Sequence, residues 1–287
     1  MEALLAIAFL AVGLALGSFL NVCISRLPRD LSVVAPRSYC PSCRAPIAWR
    51  DNIPLLSWMI LRGRCRACGG RISPRYPVVE LLTAVLFVAC YASFGLTAMA
   101  LKACVLCFLL VGLIFMDAET GLLPAEFTYS GILLGFLFAW FVPVDSSGIV
   151  LWLQALGSHA EPSGALLSLL DAALAVLFGA GFFFVAWAVY FLVRKRDGLG
   201  FGDIALMAMV AVFLGLKLTV LVVFLAPVSA TIYAIVMLVA RPKAAGDSPQ
   251  TSVLFLAIPF GVFLGASGFA ALFFGESIWR WYLGFFQ

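Results

Sequence analysis

Residues 97–116 read TAMALKACVLCFLLVGLIFM, and an aspartate, Asp117, follows them directly. This stretch of twenty residues carries one charged side chain, Lys102. A hydrocarbon core about 30 Å thick is crossed by roughly 20 apolar residues in a helix. The stretch therefore predicts a transmembrane helix that ends in a carboxylate at a membrane surface.

The same apolar character extends over the whole chain of 287 residues. Hydrophobic residues make up 64% of it and charged residues 11%, whereas soluble domains are nearer half apolar and a quarter charged. This composition excludes a soluble globular enzyme and predicts an all-α polytopic membrane protein. We expect about eight transmembrane helices, at residues 3–24, 78–95, 97–116, 127–143, 166–193, 204–216, 218–240 and 252–274.

Basic side chains divide unequally between the loops that join these segments. With the N-terminus outside, the outer side receives three basic residues, Lys102, Lys217 and Arg280. The cytoplasmic side receives fifteen, which are the ten arginines from Arg26 to Arg75 and then Arg194, Lys195, Arg196, Arg241 and Lys243. Because cytoplasmic loops carry the excess of lysine and arginine, this orientation is the predicted one.

Four cysteines lie in the first cytoplasmic loop with the spacing C-x2-C-x21-C-x2-C; they are Cys40, Cys43, Cys65 and Cys68. Two CxxC turns can direct four thiolates at one tetrahedral ion, and a closed shell of this kind is structural. The spacing therefore predicts a small four-cysteine zinc-binding domain between the first two helices. An iron–sulfur or redox centre and unliganded thiols are the alternatives. Core packing is the interpretation for Cys23, Cys90, Cys104 and Cys107, which lie in apolar segments.

Two aspartates, Asp117 and Asp203, are predicted at the cytoplasmic ends of their helices. Asp203 lies in GLGFGDIALMAM at 198–209, where glycines precede an apolar helix. A carboxylate near hydrocarbon is costly unless it is paired or used. An aspartyl protease pair, proton or ion coupling, and simple anchoring at the interface are the three interpretations that the residues allow. Anchoring is the expectation for Glu80, Glu126 and Asp171.

Other hydrolytic centres find little support in the sequence. The chain has one histidine, His159, which is predicted in an outer loop, and it has no HExxH pattern. A Ser–His pair cannot form on the cytoplasmic side without a second histidine. Lys195 and Lys243 lie in basic flanks, so a Ser–Lys dyad is not expected.

Four blocks of the sequence form a recognisable set. They are GLALGSFLNVCISRLP at 13–28, the cysteine block continuing to RYPVVELLT at 75–83, FMDAETGLLP at 115–124 and GLGFGD at 198–203, with IPFGVFLG at 258–265 as a weaker tail signature. Together they resemble the type IV prepilin leader peptidase family. The GxGD pattern alone is shared with presenilin-like proteases, whereas the cysteine block with WRDNIPLLSW is more specific.

The resemblance implies a bifunctional enzyme of the bacterial inner membrane. It implies cleavage of the leader of type IV prepilins and type II secretion pseudopilins after a glycine, on the cytoplasmic side. N-methylation of the new N-terminal residue with S-adenosylmethionine is implied to follow. Carried over by position, the catalytic residues are Asp117 and Asp203, and the metal ligands are Cys40, Cys43, Cys65 and Cys68. Membrane lipid is an expected partner and nucleic acid is not.

The implied organisation has three parts: a first transmembrane helix at 1–25, a cytoplasmic four-cysteine zinc-binding domain at 26–77 and a transmembrane aspartyl peptidase domain at 78–287. Ala205 and Ala84 stand where the family usually carries lysine and glycine, respectively. No glycine-rich S-adenosylmethionine pattern is readable, so no donor-binding residue is predicted. The alternatives are a GxGD protease without methylation and a proton-coupled transporter with a zinc docking loop.

Overall fold

A computed structural model describes residues 1–142, 164–195, 198, 200–240 and 259–285. Within these ranges the regular elements are helices, apart from two isolated β-bridges in the cysteine loop. The α-helices are α1 (Glu2–Arg26), α2 (Leu56–Ile60), α3 (Arg75–Phe94), α4 (Ala98–Thr120), α5 (Ala125–Phe141), α6 (Ala165–Arg194), α7 (Phe201–Ala240) and α8 (Phe260–Leu283). Short 3-10 turns occupy Leu27–Arg29 and Trp49–Asp51.

Six of the described helices are long and apolar enough to cross a membrane: α1, α3, α4, α6, α7 and α8. The apolar helix α5 has 17 residues and is shorter than these. The prediction of an all-α, multi-pass membrane protein is confirmed. The number of membrane crossings stays a prediction, because α7 covers two of the expected segments and α5 is short.

The last predicted segment differs most from the structure. The apolar pattern predicts it at 252–274, but α8 begins at Phe260 behind Pro259 and continues to Leu283. Proline is favoured at helix starts, where its missing N–H costs nothing. The charged residues Glu276 and Arg280 lie inside the helix, so hydropathy alone ends it too early. Residues 252–258 lie outside the described ranges, as do His159, Asp145, Asp197, Arg196, Arg241 and Lys243.

Contacts divide the chain into two compact units, Met1–Met116 and Asp117–Gln287. In the first unit, α1 packs along α3. A Cβ on Gly13 would lie 2.6 Å from the Cα of Ala84, and one on Gly17 would lie 2.7 Å from the Cα of Glu80. Small residues let two membrane helices approach this closely. Ala84, where the family usually has glycine, is therefore accommodated by Gly13 on the facing helix.

In the second unit, α7 packs against α5, α6 and α8. The segment Leu206–Gly215 is buried throughout, as expected for a helix enclosed on all sides. The helix is interrupted at Gly215, whose φ of 76° and ψ of 173° are not helical. Asp171 of α6 lies beside this break and accepts the backbone N–H of Leu216 at 3.1 Å.

The two arms of α7 fold back on each other at Gly215. A Cβ on Gly179 of α6 would lie 2.8 Å from Met207 Cε and 2.9 Å from Thr219 Cγ2, so these two atoms are close to one point. In a straight helix the twelve-residue separation of Met207 and Thr219 would place them about 18 Å apart. The chain therefore turns at Gly215, where the sequence predicts the boundary between segments 204–216 and 218–240.

Candidate active site and metal centre

Asp117 lies in the last turn of α4, which ends at Thr120. Gly121 has φ 65° and donates its N–H to the carbonyl of Asp117 at 2.8 Å. Glycine commonly ends helices in this left-handed conformation. The sequence ETGLLP thus ends the helix within one turn of the aspartate and places Asp117 at a helix end.

The N-terminus of α8 holds the carboxylate of Asp117. Val262 donates its backbone N–H to Asp117 Oδ2 at 3.1 Å, and the N–H of Gly261 also bonds to this carboxylate. A Cβ on Gly261 would lie 2.8 Å from Oδ2, so a side chain there would push against the carboxylate. Asp117 itself is 6% exposed.

Asp203 occupies the first turn of α7. Its Oδ2 accepts the N–H of Gly200 at 3.3 Å, and its own N–H donates to the carbonyl of Gly200 at 3.1 Å. The bond from the Asp203 side chain back to the Gly200 N–H is one half of a capping box, and glycine has no side chain to form the other half. Asp203 is half-buried. The turn therefore fixes the side chain at the start of the helix.

Gly202 allows the segment after α4 to approach α7. A Cβ on Gly202 would lie 3.0 Å from Leu123 Cβ. Asp117 and Asp203 are consequently at the same end of the second unit, and Asp203 lies within direct electrostatic range of Asp117. The break at Gly215 lies toward the other end, where Lys217 forms a 2.7 Å ion pair with Glu276 near the far end of α8.

The backbone around Gly261 and Val262 is a part of this site that the sequence analysis missed. Its signal was the tail block at 258–265, in which a Pro-Phe-Gly step opens an apolar helix. The expectation that Glu80 and Asp171 are surface anchors is wrong. They are 7% and 4% exposed, respectively, and each accepts a backbone N–H, from Leu55 at 2.8 Å and from Leu216 at 3.1 Å. Glu126 is exposed, as an anchor would be.

The four loop cysteines converge in the first unit. The Sγ atoms of Cys40, Cys43, Cys65 and Cys68 all lie within 4.8 Å of one another. Both CxxC segments form tight turns: Cys40 and Cys65 donate their N–H groups to the carbonyls of Ala45 and Gly70 at 2.9 and 2.8 Å. Among the described residues this is the one group of three or more potential ligands close enough to hold a metal ion.

The sulfur positions fit a zinc ion. A tetrahedral site with Zn–S bonds of about 2.3 Å separates its sulfurs by roughly 3.8 Å, and Cys40 Sγ lies 3.9 Å from Cys68 Sγ. The backbone N–H of Cys43 is the main cause that lowers the pKa of the Cys40 thiol to about 6. The thiolate is the form that binds metal. The set can therefore supply four sulfur ligands to one ion.

Side chains from the intervening stretch brace the second CxxC turn. Asp51 forms a bidentate contact with Arg66, between Cys65 and Cys68, with an Nη2–Oδ1 distance of 2.7 Å. This contact lowers the pKa of Asp51. The Leu55 N–H bond to Glu80 ties the same stretch to α3. The block WRDNIPLLSW thus connects the cysteine turns to the helix pair.

The cysteines of the apolar segments are buried. Cys90 and Cys107 have their sulfurs 3.7 Å apart, and Cys104 is also enclosed. Their burial agrees with the predicted packing role.

Comparison with known proteins assigns both units to one family. A model of the bacterial peptidase A24 N-terminal domain matches residues 11–94, and a model of the type IV leader peptidase family matches residues 104–235. No solved structure matches the chain.

Several curated relatives are named prepilin leader peptidase/N-methyltransferase. The protein of Myxococcus xanthus is 39% identical over 87% of this chain and 71% of its own length. Those of Aeromonas hydrophila and Legionella pneumophila are 34% and 33% identical, over 94% and 97% of this chain and 91% and 96% of theirs. With this identity over nearly its whole length, the chain belongs to the type IV leader peptidase family.

Proposed function

We propose that this protein cleaves the leader peptide from type IV prepilins and type II secretion pseudopilins and then N-methylates the new N-terminus. It acts in the bacterial inner membrane, with its N-terminus outside and with the cysteine domain and both aspartates on the cytoplasmic side. The relatives' shared name and the two family matches support both activities. The basic loops support the orientation.

One observation carries the peptidase assignment: Asp117 and Asp203 lie within electrostatic range at one end of the second unit. Two carboxylates this close do not both ionise cheaply, so such a pair favours holding one shared proton. In each carboxylate Oδ2 accepts a backbone N–H. The carboxylate oxygens that accept no backbone N–H are then the ones that act on water and on the substrate.

The pair would work as a general base and a general acid. One carboxylate takes a proton from a water molecule, whose oxygen attacks the carbonyl carbon of the scissile peptide bond. The other carboxylate gives its proton to the amide nitrogen as the C–N bond breaks. The products are a leader with a new carboxyl group and a pilin with a free amine. The pair regains its starting state when a proton passes between the two carboxylates.

The position of the pair suits a substrate with a basic leader and an apolar helix. Both aspartates lie at ends of apolar helices, so a peptide bond at the membrane surface is the bond that they reach. The apolar helix of a prepilin lies in the membrane, and its leader extends into the cytoplasm. The scissile bond joins these two parts and meets the carboxylates at that depth.

Methyl transfer is assigned to the first unit, where the cysteine cluster gives the loop a fixed structure. S-adenosylmethionine supplies an electrophilic methyl group when it is bound. Bound in this unit, it would supply the methyl group that the free pilin amine accepts, with loss of one proton from the nitrogen and departure of the donor's sulfur. A zinc ion bound by all four thiolates would have a closed shell, so its role would be structural.

Incubation of the purified protein with a prepilin and a labelled methyl donor tests the proposal. Mass spectrometry of the pilin should show removal of the leader and addition of one methyl group to the mature N-terminus. Cleavage without methylation would leave a peptidase alone. An intact prepilin, with a folded zinc-loaded protein, would contradict the assignment.

A further inference from the structure

A cavity of about 460 Å³ opens between α1 and the loop that follows it. Its apolar wall includes Phe19 and Val22 of α1, and its polar wall includes Ser18, Arg26, Arg37 and Ser38. Binding sites for small molecules are commonly of this size, mostly apolar with a few placed polar groups. All of these residues belong to the first unit.

Arg26 is the unusual member of this wall because it is charged and only 8% exposed. Its Nη1 donates to the carbonyl of Ser32 at 2.9 Å and its Nη2 to that of Pro36 at 2.8 Å. A guanidinium carries five N–H donors, so these two bonds leave others for a ligand. No carboxylate among the described residues forms an ion pair with it. A buried charge without a counter-charge is costly, so an anionic group is its natural partner.

Arg37 adds a second positive charge to the same cavity. Its side chain is exposed, and no hydrogen bond or ion pair holds it within the described part of the chain. The residues that line the cavity include no aspartate or glutamate. The wall is therefore cationic as well as apolar, which favours a ligand with a carboxylate or phosphate and a less polar body.

A carboxylate lies behind one side of the cavity. The hydroxyl of Ser18 lines the cavity and hydrogen-bonds to Glu80, which is itself 7% exposed. Glu80 also holds the backbone of Leu55. A ligand in the cavity thus meets two arginines and a serine hydroxyl that is backed by a carboxylate. This arrangement suits a molecule that carries both an anionic and a cationic group.

We propose that this cavity binds S-adenosylmethionine, with the carboxylate of the donor at Arg26 and Arg37. The proposal rests on the methyltransferase part of the proposed function. The donor has a carboxylate, cationic ammonium and sulfonium groups, and an adenine ring that the apolar wall can cover. Arg26 and Arg37 are then binding residues, and the cysteine domain holds the loop that carries Arg37.

Equilibrium binding of radiolabelled S-adenosylmethionine to the purified full-length protein tests this proposal. Arg26→Gln should weaken binding by about tenfold or more, the usual scale for losing a charged hydrogen bond in a buried site. Arg37→Gln should weaken it by a smaller factor because Arg37 is exposed. Arg29→Gln is the matched control: Arg29 is exposed, bonds to the carbonyl of Ser25, does not line the cavity and should leave binding unchanged.

Zinc content, measured in the same samples, shows whether Arg26→Gln keeps the loop folded. If that variant loses zinc, Arg37→Gln decides the question, since its side chain makes no internal contact. If the wild-type protein binds the donor and the folded arginine variants bind it with the same affinity, the cavity assignment is overturned. The proposed function is left intact by that result. The arginine variants could instead bind the donor normally but lose an anionic phospholipid that native mass spectrometry detects on the wild-type protein. That result would identify the cavity as a lipid site and overturn the proposal. Failure of the wild-type protein to bind the donor would contradict the proposed methylation itself.

Discussion

Asp117 depends on a backbone contact with residues far away in sequence. The bond from Val262 joins positions separated by 145 residues. The aspartate could be predicted from the sequence because a carboxylate at the end of an apolar run is exceptional. Its partner could not, because backbone N–H groups are present at every residue except proline. Only the folded chain shows which helix start meets Asp117.

This contact predicts the effect of a single methyl group at Gly261. Gly261→Ala would place a Cβ 2.8 Å from Asp117 Oδ2 and displace the carboxylate. Because a misplacement of about 1 Å in a catalytic group can cost 100-fold, we expect cleavage to slow by about tenfold or more. Gly181→Ala is the control, since a Cβ there meets nothing within 4 Å. Equal rates of prepilin cleavage in the two variants would argue against this role of α8.

At the scale of elements, the break in α7 shows which features of the helices hydropathy could predict and which it could not. The sequence predicts a boundary here from Gly215 and Lys217, and the structure has the break at Gly215. The interaction of Asp171 with Leu216 was not predicted, because a carboxylate near the end of an apolar segment has the same pattern as a surface anchor. The C-terminal part of α8, as far as Leu283, was not predicted for a related reason. It contains the charged Glu276, whose ion-pair partner Lys217 is 59 residues away in sequence and cannot be recognised from hydropathy.

The break predicts a graded loss of stability. Gly95 has φ 65° and ψ −160°, a backbone region essentially restricted to glycine, and open space around it, so Gly95→Ala should cost about 1–3 kcal/mol from the backbone alone. Gly215→Ala carries the same kind of strain, at φ 76°, and also meets Asp171 Oδ2 at 2.5 Å. Thermal unfolding in detergent should therefore show a larger fall in melting temperature for Gly215→Ala. An equal or smaller fall would contradict the packing described for Asp171.

The cysteine turns make a separate prediction. The double variant Cys40→Ser with Cys43→Ser removes two of four sulfurs, so elemental analysis should find zinc content reduced from about one ion per chain. Cys104→Ala is the control, since Cys104 is a buried residue of α4 with no place in the cluster. Full zinc occupancy in the double variant would show that the metal lies elsewhere.

At the scale of the whole molecule, the two activities are assigned to different compact units. The aspartates lie in Asp117–Gln287, and the cysteines and the arginine-lined cavity lie in Met1–Met116. The organisation implied by the family resemblance divides the chain at 26 and 78, and it stays a prediction. Hydropathy marks where helices begin, whereas the units are defined by which helices pack together.

Separate sites predict that methylation survives loss of the peptidase. Asp203→Asn should still methylate a pilin whose leader has already been removed, because the free amine is present and the first unit is unchanged. Mass spectrometry of the pilin N-terminus measures the added methyl group. Loss of this methylation in a variant that keeps its zinc and its melting temperature would show that the two activities share a site.

The central claim is that Asp117 and Asp203 together cleave the leader. The most direct measurement is the mass of a prepilin after incubation with Asp117→Asn, Asp203→Asn and the control Asp30→Asn, which alters an exposed loop carboxylate. Asparagine keeps the volume of aspartate but cannot exchange the proton. We predict an intact leader with either catalytic variant and complete cleavage with Asp30→Asn, all three proteins having the wild-type melting temperature. Substantial release of the mature pilin by either Asp117→Asn or Asp203→Asn would contradict the account.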